Sequence, residues 1–151
     1  MNPTNIMTNI ALIIICLLSS AAIADSTSIE NTDLVIVTSN NSTFTTIKSK
    51  DIRRLYLGLK NRKNSSPILP VRNYSDEKLH EVFLQKVMFM SSRTYERQLN
   101  LRTIRKGLKP PLQLSSNQTL IQALIANKNT ITYMWVNQVH DLSDIRIVKV
   151  Y

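Results

Sequence analysis

The stretch DLVIVTS, residues 33–39, most limits what this chain can fold into. Four apolar residues in a row, three of them β-branched, end at the turn signal Asn40-Asn41. Such a run reads as a buried strand, and the following segments supply the elements that would cover it. In SKDIRRLYLG, Ser49 can cap a helix, Ile52, Leu55 and Tyr56 share one face, and Gly58 suits the C′ position. PILPVR, residues 67–72, is a second strand, with Pro70 marking an edge or irregular position. Ser75 then caps a helix in which Leu79, Val82, Phe83, Val87 and Met90 keep the i, i+3, i+4 rhythm. A further helix runs from about Ser92 to Ile104, and Ser115 with Gln118 forms a capping-box pattern ahead of Leu120 and Leu124. LKNRKNSS and RKGLKPPLQLSS read as loops, the second broken by Gly107 and Pro110-Pro111. TITYMWV and IRIVKVY are the last two strands, joined by a polar turn around His140, Asp141 and Ser143. Four strands interleaved with four helices predict one α/β domain with a largely parallel or mixed sheet.

The amino terminus predicts where that domain works. Residues 6–18 are mostly apolar, and Ala22-Ile23-Ala24 follows with the small-x-small pattern of a signal-peptidase site. The run matches a secretory core and is short of the ~20 residues that span a bilayer. No Lys or Arg precedes it, so the α-amino group alone supplies the positive charge. The expectation is a signal peptide over residues 1–24 and an exported, periplasmic domain over residues 25–151. Cys16, the one cysteine, lies inside the apolar run. The exported part then has no disulfide, no thiol chemistry and no cysteine-held metal.

All charged residues follow Ala24, so the net charge of +9 belongs to that domain. A balance this basic favours anionic partners such as phosphate-like ligands, lipid head groups or an acidic protein face. Nucleic acid is not expected, because an exported protein rarely meets it and the basic residues are scattered without a dense run. His80 sits four residues after Asp76, a common surface pairing on a helix, and His140 precedes Asp141 in a turn. Two histidines without a carboxylate cluster give no metal-ligand spacing, and no strained Gly-x-Ser-x-Gly turn is present. No enzyme and no cofactor is expected.

The order LVIVTSN, TTIKSKDIRRLYLGLKN, SPILPVR, FLQKVM, GLKPP and ITYMW resembles a small exported family of phosphate ABC transporter substrate-binding-like proteins. SKDIRRLYLGLKN is the most specific part, similar to that family's helix and Phe-x-Gly-Lys-type turn. The resemblance implies a single lobe of a type 2 periplasmic binding protein, with a mixed or parallel sheet flanked by helices and no catalytic activity. It also implies a small oxyanion such as phosphate as ligand, and a membrane transporter or sensor as partner.

The candidate anion residues come from three places. Thr38, Ser39 and Asn40 follow the first strand, where open α/β sheets place ligands, with Arg72 expected nearby. Arg72, Asn73 and Ser75 match the place where the full-length phosphate binders carry Arg and a glycine-rich Ser/Thr turn at a helix N-terminus. Here that turn has no glycine, and Asp76 and Glu77 put two negative charges into the first helical turn, which suits a helix dipole and opposes an anion. Arg105, Lys106 and Lys109 form a candidate basic rim where the family has a glycine-rich turn before its Pro-Pro pair. Tyr133 and Trp135 are expected on one sheet face as core. Two functions therefore stand: a solute-binding lobe for a small oxyanion, and a ligand-free lobe that docks on a membrane sensor or envelope complex.

Overall fold

β1 (Leu34–Ser39) is buried at every position and lies inside a five-stranded sheet of order β3-β2-β4-β1-β5. The structure, a computed structural model, describes residues 33–60 and 66–151. The expected signal peptide, its cleavage site after Ala24, Cys16 and the middle of the loop beyond Lys60 lie outside these residues. The other strands are β2 (Leu69–Asn73), β3 (Leu112–Leu114), β4 (Thr130–Trp135) and β5 (Ile145–Val150). The helices are α1 (Ser49–Tyr56), α2 (Glu77–Phe83), α3 (Ser92–Lys106), α4 (Asn117–Ala126) and the short α5 (Val136–Val139).

β2 runs parallel to both β3 and β4, and β1 runs antiparallel to both β4 and β5, so the sheet is mixed. Alternation along β1 divides the core. Leu34 and Ile36 join Ile131 and Tyr133 under α1, α2 and α3, whereas Val35 and Val37 join Met134 under α4 and α5. Both faces are covered, which is why β1 tolerates no polar residue along its apolar run. This is the α/β sheet flanked by helices that the sequence predicts.

Tyrosines tie the layers together. Tyr56 of α1 donates its hydroxyl to the Val71 carbonyl at 3.1 Å, and Tyr95 of α3 donates to the Tyr56 carbonyl at 2.7 Å. Tyr133 stacks on Phe83 at 3.9 Å between centroids, which fixes its expected role as core. Burial raises the Tyr56, Tyr95 and Tyr133 phenols above their ordinary values, so these donors stay protonated.

Several local expectations change. A fifth strand, β3, forms within the expected loop: only three residues long, it lacks the length for a recognisable alternation, and it pairs with Val71, Arg72 and Asn73. α1 starts at Ser49 itself, with Lys48 as N-cap and no side-chain cap. The Ser115–Gln118 box does not form either; Ser116 is the N-cap of α4, and Thr119 donates its hydroxyl to the Ser116 carbonyl. α2 continues as a π-helical turn, Leu84–Met88, and stops at Phe89 with φ of 56°. Met90 therefore packs on the core from beyond the helix.

The turn after α1 is as the sequence indicates. Gly58 has φ of +75°, and a Cβ there would stand 3.1 Å from the Lys109 carbonyl oxygen. Gly58→Ala combines a left-handed backbone with that contact and should cost about 1–2 kcal/mol. Urea unfolding checks this; an unchanged midpoint would mean the turn relaxes freely.

Candidate functional site

Strand polarity decides which candidate residues meet. Thr38 is in register with Ile131 and Leu34 with Trp135, so β1 ends where β4 begins. β2 runs with β4, so Arg72 and Asn73 lie toward the other end of the strands. The expectation of Arg72 near Thr38, Ser39 and Asn40 is therefore corrected. One antiparallel strand separates the two groups, and nothing in the local sequence of β1 declares its direction.

The β1 group is engaged internally. Thr38 is fully buried and donates its hydroxyl to the Thr130 carbonyl at 2.8 Å. Ser39 Oγ accepts the Asn41 amide at 3.3 Å. Asn40 is exposed, but its backbone N–H donates to the Asp144 carbonyl at 2.9 Å and its side chain donates to the Ser143 carbonyl. Thr38 thus ties the end of β1 to β4, and Asn40 ties it to the loop before β5.

The second group forms a polar edge where β2, β3 and β4 end. Asn73 is fully buried; its Nδ2 donates to the Tyr133 carbonyl at 3.0 Å, and its Oδ1 accepts the Ser75 amide at 2.9 Å. The Ser75 hydroxyl lies 2.7 Å from Asn73 Oδ1 and 2.8 Å from Asn117 Oδ1. This turn, closed by the Asn73 side chain, removes Ser75 from the capping role expected of it. Asp76 caps α2 instead: Oδ1 accepts the Leu79 amide at 3.1 Å and Oδ2 accepts the Trp135 indole N–H at 2.8 Å. The Trp135 bond, followed by the Leu79 amide, holds the Asp76 carboxyl below its ordinary value.

Arg72 is 8% exposed, and both Nε and Nη1 are bonded within the protein. Nη1 meets Glu96 Oε1 at 2.9 Å, Nε donates to the Pro111 carbonyl at 3.2 Å, and the guanidinium sits 5.6 Å from the Tyr74 ring centroid. Tyr74 donates its hydroxyl to the same Glu96 oxygen at 3.1 Å. Burial, then the Glu96 charge, raises the Tyr74 phenol. The basic rim is dispersed by comparison. Arg105 and Lys106 are exposed at the C-terminal end of α3, whereas Lys109 lines a separate groove with Lys60.

His80 is also reassigned, from surface partner of Asp76 to buried partner of Tyr133. It is 5% exposed, and its Nδ1 lies 2.7 Å from the Tyr133 hydroxyl, which donates onward to the Asn73 carbonyl at 3.1 Å. That direction makes Nδ1 the protonated nitrogen of a neutral ring. A cavity of about 240 Å³ beside it is lined by Tyr74, Glu77, His80, Glu81 and Ser92, and its two carboxylates oppose an anion. The sequence reading missed Glu96 and Asn117, because nothing local links them to Arg72 and Ser75 across 24 and 42 residues. Among the described residues, no cluster of three or more His, Cys, Asp or Glu side chains could hold a metal.

The mixed five-stranded sheet flanked by helices is the α/β fold class expected from the sequence, and solved structures of substrate-binding proteins share it. PstS from Borrelia burgdorferi is similar in structure, with 16% identity and a TM-score of 0.52, over 78% of this chain and 47% of that one. A possible phosphate binding protein from Planctomyces limnophilus is similar at 13% identity and a TM-score of 0.52, over 78% of this chain and 40% of that one. The chain thus spans less than half the length of these structures. No protein-family model and no curated protein matches the sequence.

Burial, with Arg72 close by, lowers the His80 pKa from 6.5 to about 4. Below pH 6.5 the unfolded chain takes up a proton that the folded chain refuses, so stability is full above that pH and declines as pH falls toward about 4. The loss should approach roughly 3 kcal/mol. Urea unfolding between pH 7 and pH 4 tests this against His80→Gln, which should flatten the decline; equal slopes would place the protonation elsewhere.

Proposed function

We propose that this chain is an exported solute-binding-like lobe whose polar edge takes a small oxyanion of the phosphate class, with a membrane transporter or sensor as partner. The observation that carries the reading is the convergence of Asn73, Ser75 and Asn117 at the ends of parallel strands, with Arg72 the residue before Asn73 on β2. Open α/β sheets hold ligands at such an edge. The net charge of +9 supports an anion, and the signal-peptide pattern over residues 1–24 supports export. The phosphate binding named for one structural neighbour supports the ligand class.

Affinity on this reading is low in the isolated chain. One lobe offers one wall of a cleft, and a ligand buries most of its surface only when a second wall closes over it. Arg72 is already neutralised by Glu96, and the Asp76 carboxylate stands beside the turn. The same two facts favour the second reading, a ligand-free lobe that docks on a membrane sensor or envelope complex through its surface.

Calorimetric titration with phosphate at low salt separates the two. The first reading predicts weak, millimolar binding that Arg72→Ala removes and Thr38→Ala leaves unchanged. Asp76→Asn removes one negative charge and keeps one of the two acceptors: its amide oxygen can still cap the Leu79 N–H, while its NH2 group cannot accept the Trp135 indole N–H. It should tighten binding roughly five- to tenfold. Flat titrations in wild type and Asp76→Asn alike would assign the lobe to the docking role.

A further inference from the structure

A groove of about 670 Å³ lies at the other end of the strands from the polar edge. Its walls are apolar: Leu55 and Leu59 around α1, Leu69 and Val71 of β2, Leu112 of β3 and Ala123 of α4. Leu69 and Leu112 are 44% and 60% exposed, so this apolar surface faces solvent. No carboxylate lines it, whereas Lys60 and Lys109 both do, and neither is ion-paired among the described residues. The turn at Gly58 brings these lysines to one groove by packing against the Lys109 backbone.

We propose that this groove binds a single-chain anionic amphiphile, a fatty acid, with its carboxylate at Lys60 and Lys109 and its hydrocarbon chain over Leu69, Val71 and Leu112. The volume lies within the range of clefts that hold small ligands. Two cations without an ion pair among the described residues, on a wall whose other polar side chains are Asn127 and Thr130, complement one negative head and one greasy tail. The backbone disfavours the other obvious occupant, an added peptide strand. Pro70, Pro110 and Pro111 line the groove and have no N–H to donate. The Leu69 N–H is turned away, donating to the Asn129 carbonyl at 3.0 Å, and the Pro111 carbonyl already accepts Arg72. A hydrocarbon chain asks for none of these groups.

The test is calorimetric titration of the purified protein with laurate, dodecanol and dodecyltrimethylammonium, each below its micellar concentration. Laurate should saturate at one per chain, more tightly than dodecanol, and the cationic amphiphile should not bind. Replacing Lys60 and Lys109 together by Gln should weaken laurate about tenfold and leave dodecanol unchanged. Leu112→Ser, at an exposed position, should weaken both ligands without altering the circular dichroism spectrum. The proposal is overturned by no laurate saturation, by equal binding of the cationic amphiphile, or by lysine variants that bind laurate as wild type does. It is equally overturned if laurate fails while Leu112→Ser abolishes a concentration-dependent dimer, which gives the groove to a second copy. Because the groove and the polar edge lie at opposite ends of the strands, a flat phosphate titration leaves this result untouched.

Discussion

The polar edge depends on one interaction, the grip of Glu96 on Arg72 at 2.9 Å. Arg72 is nearly buried on a central strand, where an unpaired guanidinium would be costly. Glu96 supplies the charge, Pro111 supplies a carbonyl, and Tyr74 adds a ring face and a hydroxyl to the same cluster. Three separate pieces of chain, β2, α3 and the lead into β3, are fastened by one side chain. A cation that would serve a bound anion in a ligand site here serves the architecture first.

The same economy runs through the neighbouring residues. Asn73 closes the turn and holds the Tyr133 carbonyl, Asp76 caps α2 and receives Trp135, and His80 completes a chain through Tyr133 back to Asn73. Each polar atom satisfied by the protein costs less to bury than one left open. Any group brought to this edge would have to replace bonds that already exist.

Much of the fold was legible because burial on both faces leaves a plain signature. The runs at 34–37 and 131–135 carried their strand identity, and Gly58 carried its turn in a backbone geometry that other residues avoid. β3 left no such signature, since three residues on an exposed edge show neither alternation nor length. The site was legible only in part. Asn73 and Ser75 bond to each other, Arg72 turns instead to Glu96, Pro111 and Tyr74, and Thr38 to Asn40 lie toward the other end of the strands because β1 runs against its neighbours. His80 looked like a surface residue by its spacing from Asp76; its burial follows from Tyr133, 53 residues away. Pairing across such separations is a property of the packed chain, and local pattern carries no trace of it.

The most direct test is a double-mutant cycle on unfolding free energy, using Arg72→Met, Glu96→Gln and the pair. If Arg72 is held by Glu96, the two substitutions will be coupled by about 1–2 kcal/mol, each single change costing more than its share of the double. Additive effects would mean that the guanidinium is not held by this carboxylate and stands free for a ligand, contradicting the account.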